Sequence, residues 1–337
     1  MSKRKSEEHD NFYHYDDRDY ECKKPNCNVT KFRNPDGTLR LRNPHIKKLR
    51  DGDFLYHLAL GTKSHNLEEM FGDVKFVCMG GTAKRMETLA NYIMKEIGYK
   101  LPTGSTLQDL TSSSLRFAMY KVGPVLCVSH GMGIPSISIL LHEIIKLVHH
   151  AKAKDPIFFR VGTCGGIGLK GGDVIVSDSV IDELGNPYYQ QPVCGKLVKK
   201  PAILDKNLAQ ELKSLSELDD GFEVVNGTTM AANCFYEGQG RTDGAFCEYT
   251  EEDKMEYLKM LHEKGVRNIE MEGTVFAAHT YHAGIKSAVV NVALLNRLEG
   301  DQVTTPKEVM MEWQNHPQII VTRYIKRHLQ NSSTNGI

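Results

Sequence analysis

Two arginines in this sequence follow the same local pattern and could together hold an anion. Arg160 lies within the apolar run 157–162, where an unpaired guanidinium would be very costly. The glycine-rich stretch 162–166 follows it, and glycines let backbone N–H groups approach a ligand closely. Another apolar run ends at Met79 and is also followed by glycines, and then by Arg85. Either these arginines bind an anion, or they form buried bridges to carboxylates of the protein itself.

Two carboxylates come directly after a second apolar stretch and could hold a sugar. If the chain is extended there, Glu270 and Glu272 share a face, because strand side chains repeat every two residues. Paired Glu side chains can accept hydrogen bonds from vicinal hydroxyls, or they can form salt bridges at the surface. The pattern leaves both interpretations open.

A third cluster combines groups that suit a flat, polar ring. Residues 235–241 bring together Phe235, Gln239 and Arg241. The amide and the guanidinium offer both donors and an acceptor to the edge of a heterocycle. In isolation the same segment could be a polar loop.

Several familiar motifs fail in their context. Residues 166–171 match GxGxxG, but a strand-like run follows at 173–176, where a dinucleotide site needs a helix. There is no P-loop, and Lys146 stands where an HExxH zinc motif beginning at His142 needs its second histidine. The eight cysteines contain no CxxC, so we expect neither a metal site nor a redox dithiol, and we interpret them as reduced thiols of a cytoplasmic protein.

The elements that must position these residues are short apolar runs alternating with helical patterns, which predicts an α/β/α layered fold in a single domain. The predicted strands are residues 74–79, 125–129, 157–162, 174–177, 223–225 and 288–295. The predicted helices are residues 84–97, 206–218, 251–263, 274–282 and 306–329, with a further helix after Gly133 that has Pro135 in its first turn.

Composition sets the outer limits. The 337 residues carry 42 Lys and Arg against 42 Asp and Glu, which argues against a nucleic-acid binder that works through a general basic field. No stretch approaches the ~18 apolar residues of a membrane span, and the first ten residues lack the apolar core of a secretory signal. Residues 1–40 hold 17 charged and only 10 hydrophobic residues, which predicts a disordered leader, a domain at 41–329 and a polar tail at 330–337.

Taken in order, the motifs resemble the uridine phosphorylases, most closely those of animals, from about residue 43 to residue 329. The resemblance rests on residues 76–81 with Arg85, 119–124, 129–138, 160–163, 235–241, 269–272 and 294–301. It implies a nucleoside phosphorylase fold, which is an α/β/α domain around a mixed, distorted sheet. It also implies reversible phosphorolysis of uridine in pyrimidine salvage and catabolism. Phosphate would be a substrate, with no cofactor or metal, and the protein would be a cytoplasmic homodimer.

The resemblance also implies a role for each matching residue. The phosphate residues would be Gly81, Arg85, Arg160 and Thr163, with Arg116 supplied by the neighbouring subunit. The ribose residues would be Thr163, Met271, Glu272 and the neighbour's His57, which lies near the 5′-hydroxyl. The uracil residues would be Phe235, Gln239 and Arg241, with Arg297 holding the region of Arg241. The catalytic set would be Arg85, Arg160, Gln239, Arg241 and Glu272.

Some alternatives stay open at this stage. Purine-specific relatives place an Asp near the position of Asn296, so Asn296 favours a pyrimidine. A nucleosidase on the same fold would not need the arginine trio. A nucleoside-binding protein without activity would normally have lost some of the charged residues. The sequence departs from the family at Thr82, Cys164 and Gly273, none of which carries an implied chemical role.

Overall fold

The computed structural model of the protein describes residues 33–334, and their side chains up to residue 331. The strands are, in chain order, β1 (Phe54–Leu55), β2 (Leu60–Gly61), β3 (Phe76–Gly80), β4 (Met119–Val122), β5 (Val125–Ser129), β6 (Ile157–Gly166), β7 (Val174–Ile181), β8 (Tyr188–Val193), β9 (Lys196–Pro201), β10 (Val224–Ala231), β11 (Val266–Glu270) and β12 (Lys286–Asn296). The helices are α1 (Leu67–Phe71), α2 (Ala83–Glu96), α3 (Ile134–His150), α4 (Lys206–Lys213), α5 (Glu251–Glu263), α6 (Gly273–His282), α7 (Lys307–Trp313) and α8 (His316–Thr334).

Eight of these strands form one mixed sheet in the order β11-β10-β7-β12-β6-β3-β5-β4. The pairs of β3 with β5 and β6, of β6 with β12, and of β10 with β7 and β11 are parallel. The pairs β4–β5 and β7–β12 are antiparallel. β11 also pairs antiparallel with the far end of β6, so the sheet bends back on itself. The predicted single α/β/α domain with a mixed, distorted sheet is confirmed.

Helices cover both faces of the sheet because its central strands are apolar on both sides. Along β3, Val77 and Met79 pack into the core shared with α1, α3 and α6. The alternate residues Phe76 and Cys78 pack into the core shared with α2, α4 and α8. The long runs without polar residues in the sequence therefore reflect burial on two faces rather than one.

The helices begin where their sequences provide caps. Thr82 caps α2 by accepting a hydrogen bond from the Arg85 N–H, and Thr250 forms a capping box with Asp253 at the start of α5. Gly133 adopts a positive φ of 81° directly before α3, and Pro135 lies in the first turn of that helix, as predicted.

Both ends of the domain differ from the predicted boundaries. Residues 33–40 are packed against the domain: Arg33 pairs with Asp155 and donates to the Gly284 carbonyl at 2.7 Å, and Leu39 is buried. The domain therefore starts before residue 41. Helix α8 runs to residue 334, so the predicted tail from residue 330 begins as helix. The rest of the predicted leader, residues 1–32, lies outside the described residues and stays a prediction.

Candidate active site

The carboxyl ends of several parallel strands meet at one edge of the sheet and surround a cavity of about 340 Å³. This is the edge at which open α/β sheets bind ligands. Ten of the twelve residues to which the resemblance gives a role line it: Gly81, Arg85, Arg160, Thr163, Phe235, Gln239, Arg241, Met271, Glu272 and Arg297. His57 and Arg116 do not.

The Arg160 guanidinium is buried in the wall of the cavity. Its Nη2 lies 2.8 Å from the Glu270 carboxylate and also contacts Glu272, and its Nη1 donates to the Asn291 side chain at 2.7 Å. The arginine and both carboxylates are buried. The sequence left open whether Arg160 faces an anion site or bridges to carboxylates of the protein. The structure shows that it lines the cavity and also pairs with Glu270 and Glu272.

The position of the Arg160 guanidinium leaves no room for a side chain at Gly162. A Cβ atom at position 162 would lie 2.5 Å from Arg160 Nη1 and 2.6 Å from the Asn291 Oδ1 atom. The sequence had indicated that this glycine opens the backbone to a ligand. The structure adds that it lets Arg160 fold back over its own strand.

The two carboxylates differ in the pKa that their surroundings give them. Burial raises the pKa of Glu270 to about 7, although Arg160 and two backbone N–H groups oppose that shift. Burial also acts to raise the pKa of Glu272, but Arg160 and the Gly133 N–H, 2.6 Å from Oε1, outweigh it and hold the pKa below its usual value. Glu272 is therefore the acceptor that stays ionised at neutral pH.

Arg85 and His130 complete the anion end of the cavity. Burial, and then the charge of Arg160, lower the pKa of Arg85, so a second cation is held close to the first with little screening. Burial and the same arginines lower the pKa of His130 to about 3, so its ring is neutral. Neither ring nitrogen has a hydrogen-bond partner among residues 33–331. An anion bound here would add to the charge of Glu272 in offsetting the two arginines.

The opposite end of the cavity presents the amide, guanidinium and aromatic ring predicted from the sequence. Gln239 and Arg241 are buried, and the Arg241 guanidinium lies 4.5 Å from the centre of the Phe235 ring. Arg241 also forms a two-pronged ion pair with Asp243, at 2.8 and 2.6 Å. This pair fixes the plane of the guanidinium and neutralises part of its charge.

A buried network holds the loop that carries these groups. Arg297 donates to the Gln239 carbonyl at 2.9 Å and to Asp301 at 3.0 Å. Asp301 also accepts from the Thr242 N–H at 3.0 Å and from Lys254 at 2.9 Å. Sequence reasoning found Arg297 but missed Asp301 and Lys254. The only sequence signal for Lys254 was its place on the apolar side of helix α5.

His57 and Arg116 project elsewhere. His57 follows strand β1, and its ring contacts Glu143 of helix α3. Arg116 is exposed in the loop before β4. Neither residue lines the cavity of its own chain. Other polar residues at the site that the sequence reasoning missed are Asn291, which accepts from Arg160, and the neutral His130.

A groove larger than the cavity, of about 660 Å³, lies beside β7 and α5, and most of its walls are apolar, for example at Val180, Leu204 and Met260. Within residues 33–331, no three His, Cys, Asp or Glu side chains are grouped so as to hold a metal ion. No helix in the described residues is long and apolar enough to cross a membrane.

Comparison with known proteins agrees with this geometry. A model of the phosphorylase superfamily matches residues 75–326. Uridine phosphorylase 2 of Homo sapiens is 47% identical over 291 residues, which are 86% of this chain and 91% of that protein. A Schistosoma mansoni protein named inactive uridine phosphorylase B is 39% identical over 287 residues, or 85% of this chain and 95% of that one. The crystal structure of uridine phosphorylase from Schistosoma mansoni in complex with uracil has a TM-score of 0.80 at 42% identity, covering 85% of this chain and 98% of that one.

Proposed function

The chain belongs to the phosphorylase superfamily and, within it, to the uridine phosphorylases, and from this we propose that it catalyses the reversible phosphorolysis of uridine to uracil and ribose 1-phosphate. The observation that carries the proposal is one cavity with the buried Arg160, the partly buried Arg85 and a neutral histidine at one end, and Gln239 and Arg241 at the other. Glu272 lines the same cavity and contacts Arg160.

The reaction separates charge, and the cavity is charged to match. As the glycosidic bond breaks, positive charge grows on the ribose and negative charge on the departing uracil. Gln239 and Arg241 stabilise the uracil anion in the manner of an oxyanion hole, so no strong general acid is needed. Glu272, ionised and buried, stabilises the cationic sugar. Phosphate held by Arg85 and Arg160 then attacks the anomeric carbon without the entropy loss of a bimolecular encounter.

Binding of the two substrates redistributes one network. In the described arrangement, Arg160 contacts Glu272, which we assign to the ribose hydroxyl. A phosphate that takes hydrogen bonds from Arg160 would release part of Glu272 to accept from the sugar. Glu270 keeps Arg160 in place, since it also accepts the backbone N–H groups of Glu272 and Gly273 at 3.0 and 2.7 Å.

One similar protein is named inactive, so membership of the family does not by itself establish activity. The proposal therefore rests on the chemical groups in the cavity. A binding protein without activity would still have the fold. This chain retains the arginines, Glu272 and the pair Gln239 and Arg241 in one cavity, and each has a task that binding alone does not require.

A single assay tests the proposal. Purified protein is incubated with uridine, with and without inorganic phosphate, and uracil is measured by chromatography. We expect uracil only with phosphate, together with an equal amount of ribose 1-phosphate. Uracil without phosphate would indicate a nucleosidase, and none in either mixture would indicate a nucleoside-binding protein.

We further propose that the active unit is a dimer in which each cavity is completed by Arg116 and His57 of the neighbouring subunit. Their position outside the cavity of their own chain supports this arrangement, as does the exposure of Arg116. A third arginine would complete the phosphate clamp, and His57 would reach the ribose 5′-hydroxyl.

Mixing two inactive variants tests the shared site. Arg116→Ala and Arg241→Ala homodimers each have two defective sites, whereas a mixed dimer has one site with both residues intact. After co-refolding at equal concentrations, we expect about a quarter of wild-type activity, because half the dimers are mixed and each has one working site. Activity no higher than that of the separate variants would mean that Arg116 acts within its own chain.

Inorganic phosphate is a substrate in this proposal, and no cofactor takes part. We place the reaction in the cytoplasm, in pyrimidine salvage and catabolism. The six cysteines within the described residues are all unpaired thiols, which supports a reducing compartment.

A further inference from the structure

Glu143 lies in the middle of helix α3, where a buried carboxylate needs partners. Its partners are all in the turn after strand β1. Its two oxygens accept the N–H of His57 at 3.1 and 3.0 Å and the N–H of Leu58 at 3.1 Å. The His57 Nδ1 atom lies 2.7 Å from Oε1. One side chain of the helix therefore holds both the backbone and the ring of His57.

This contact determines which nitrogen of the ring is available. An ionised carboxylate only accepts hydrogen bonds, so Nδ1 must carry a proton to bond with Glu143. In the neutral ring Nε2 is then left as an acceptor. The His57 side chain is 29% exposed against 10% for Glu143, so the ring is open to a ligand on the side away from the carboxylate.

The rest of the segment is held independently of the ring. Asp53, three residues before Tyr56, pairs with Lys146 at 2.7 Å and with His150 at 2.9 Å, both on the same helix as Glu143. Leu55 and Leu58 are fully buried. The chain would keep its course without a bond to the imidazole, so the Nδ1 contact serves the ring's orientation more than the fold.

We propose that Glu143 is a positioning residue that fixes the Nδ1–H tautomer of His57, so that Nε2 accepts a hydrogen bond from the 5′-hydroxyl of the nucleoside in the neighbouring subunit's cavity. The inference rests on the proposed function and on its shared site. It assigns to a helix residue far from the cavity a part in choosing nucleosides that have a free 5′-hydroxyl. A nucleoside 5′-phosphate, which lacks that donor, is disfavoured for the same reason.

The test compares uridine with 5′-deoxyuridine, which differs only in the hydroxyl that His57 would bind. We expect the wild type to prefer uridine by about tenfold in kcat/KM, the value of one good hydrogen bond. In Glu143→Gln, the N–H groups of His57 and Leu58 hold the remaining oxygen, so the NH₂ group faces Nδ1 and cannot accept from it. The preference should fall to about twofold or less, while kcat/KM on 5′-deoxyuridine changes by less than about twofold.

Three further variants sharpen the comparison. His57→Ala should lose the preference as well, and the double variant should lose no more than His57→Ala alone, because both act through one contact. His150→Gln is the matched control: it breaks another histidine–carboxylate pair between the same helix and the same segment. Its preference for uridine should equal that of the wild type.

The outcomes separate this inference from the proposed function. No uracil from either nucleoside in the wild type would overturn the proposed function. Uracil from both at equal efficiency would overturn only the role of His57. A Glu143→Gln protein that keeps the preference, or that loses activity equally on both nucleosides, would reduce Glu143 to a structural anchor.

A measurement on the wild type decides the matter if Glu143→Gln does not fold. In protein labelled with ¹⁵N-histidine, the signals of His57 are identified by their absence in His57→Gln. We expect chemical shifts of a neutral ring protonated at Nδ1 alone. A ring that carries a proton on Nε2, alone or together with Nδ1, would overturn the inference.

Discussion

Arg241 is the residue whose removal separates turnover from phosphate binding most cleanly. It lies over the Phe235 ring at the end of the cavity remote from Arg85 and Arg160. Since it stabilises charge that develops only as uracil leaves, its contribution appears in the transition state more than in the ground state.

We therefore expect Arg241→Ala to lower kcat by at least ~10²-fold, the typical loss for one oxyanion-type donor. The KM for phosphate should stay within about threefold of the wild type, because phosphate binds at the other end. Steady-state kinetics with each substrate varied in turn measure both values. Arg327→Ala, which removes an exposed arginine from helix α8, is the control and should be unchanged. Near-normal turnover in Arg241→Ala would remove Arg241 from the catalytic set.

The partners of the site residues were harder to predict than the residues themselves. An arginine in an apolar strand must have a partner, because an unpaired buried guanidinium is very costly, and the sequence predicted this at Arg160. The partners, Glu272 and Asn291, lie 112 and 131 residues further along the chain. Nothing local in the sequence links residues so far apart. His130 gave no signal of its own, because a histidine after an apolar strand is equally compatible with a core position.

At the scale of elements, the loop that carries Gln239 and Arg241 depends on a carboxylate outside it. Asp301 follows strand β12 and connects Arg297, the Thr242 N–H and Lys254 of helix α5. These groups are buried together, so each charged side chain is stabilised by its charged neighbours instead of by water.

Asp301→Asn should destabilise the protein by about 3–5 kcal/mol, because it leaves the buried Lys254 and Arg297 charges under-compensated. It should also raise the KM for uridine while leaving the KM for phosphate nearly unchanged, since the loosened loop carries only the uracil residues. Urea denaturation and steady-state kinetics give the two readouts.

Glu251→Gln is the matched control, because Glu251 pairs with the same Lys254 but is 57% exposed. Such a pair contributes about 1 kcal/mol or less. Equal losses in the two variants would mean that Asp301 has no special part in holding the loop.

The elements that the sequence predicted well are those with clear apolar periodicity and clear ends. Strand β5 and helix α5 have the predicted bounds. The hairpin of β8 and β9 was not predicted, because Val198 is its one buried residue and the sequence there shows no clear apolar face. The predicted helix 306–329 is divided into α7 and α8, and Pro317 in the first turn of α8 cannot donate the hydrogen bond that would continue α7.

At the scale of the whole molecule, the equal numbers of basic and acidic residues do not show how stability depends on pH, because several buried groups have shifted pKa values. Burial lowers the pKa of His130 and His279 to about 3 and that of His282 to about 4. Their unfolded value is 6.5, so between about pH 4.5 and 6.5 the unfolded chain binds protons that the folded chain does not. Glu270 acts in the opposite sense, since its pKa of about 7 makes the folded chain bind the extra proton over the same range.

These four groups should make stability rise with pH from about 4.5 to 6.5, through a net difference of up to two protons, or roughly 3 kcal/mol per pH unit. His279 is the histidine to change, because it lies outside the cavity, against the rings of His142 and Tyr189 and near Lys200. His279→Gln removes one of the three opposing groups, so the slope of unfolding free energy against pH should fall by up to about 1.4 kcal/mol per unit. Urea denaturation at pH 5.0, 5.75 and 6.5, at one protein concentration, measures the slope, and His45→Gln on the exposed surface should leave it as in the wild type. An unchanged slope in His279→Gln would show that folding does not lower the pKa of His279, so that this histidine takes up its proton in the folded protein as readily as in the unfolded chain.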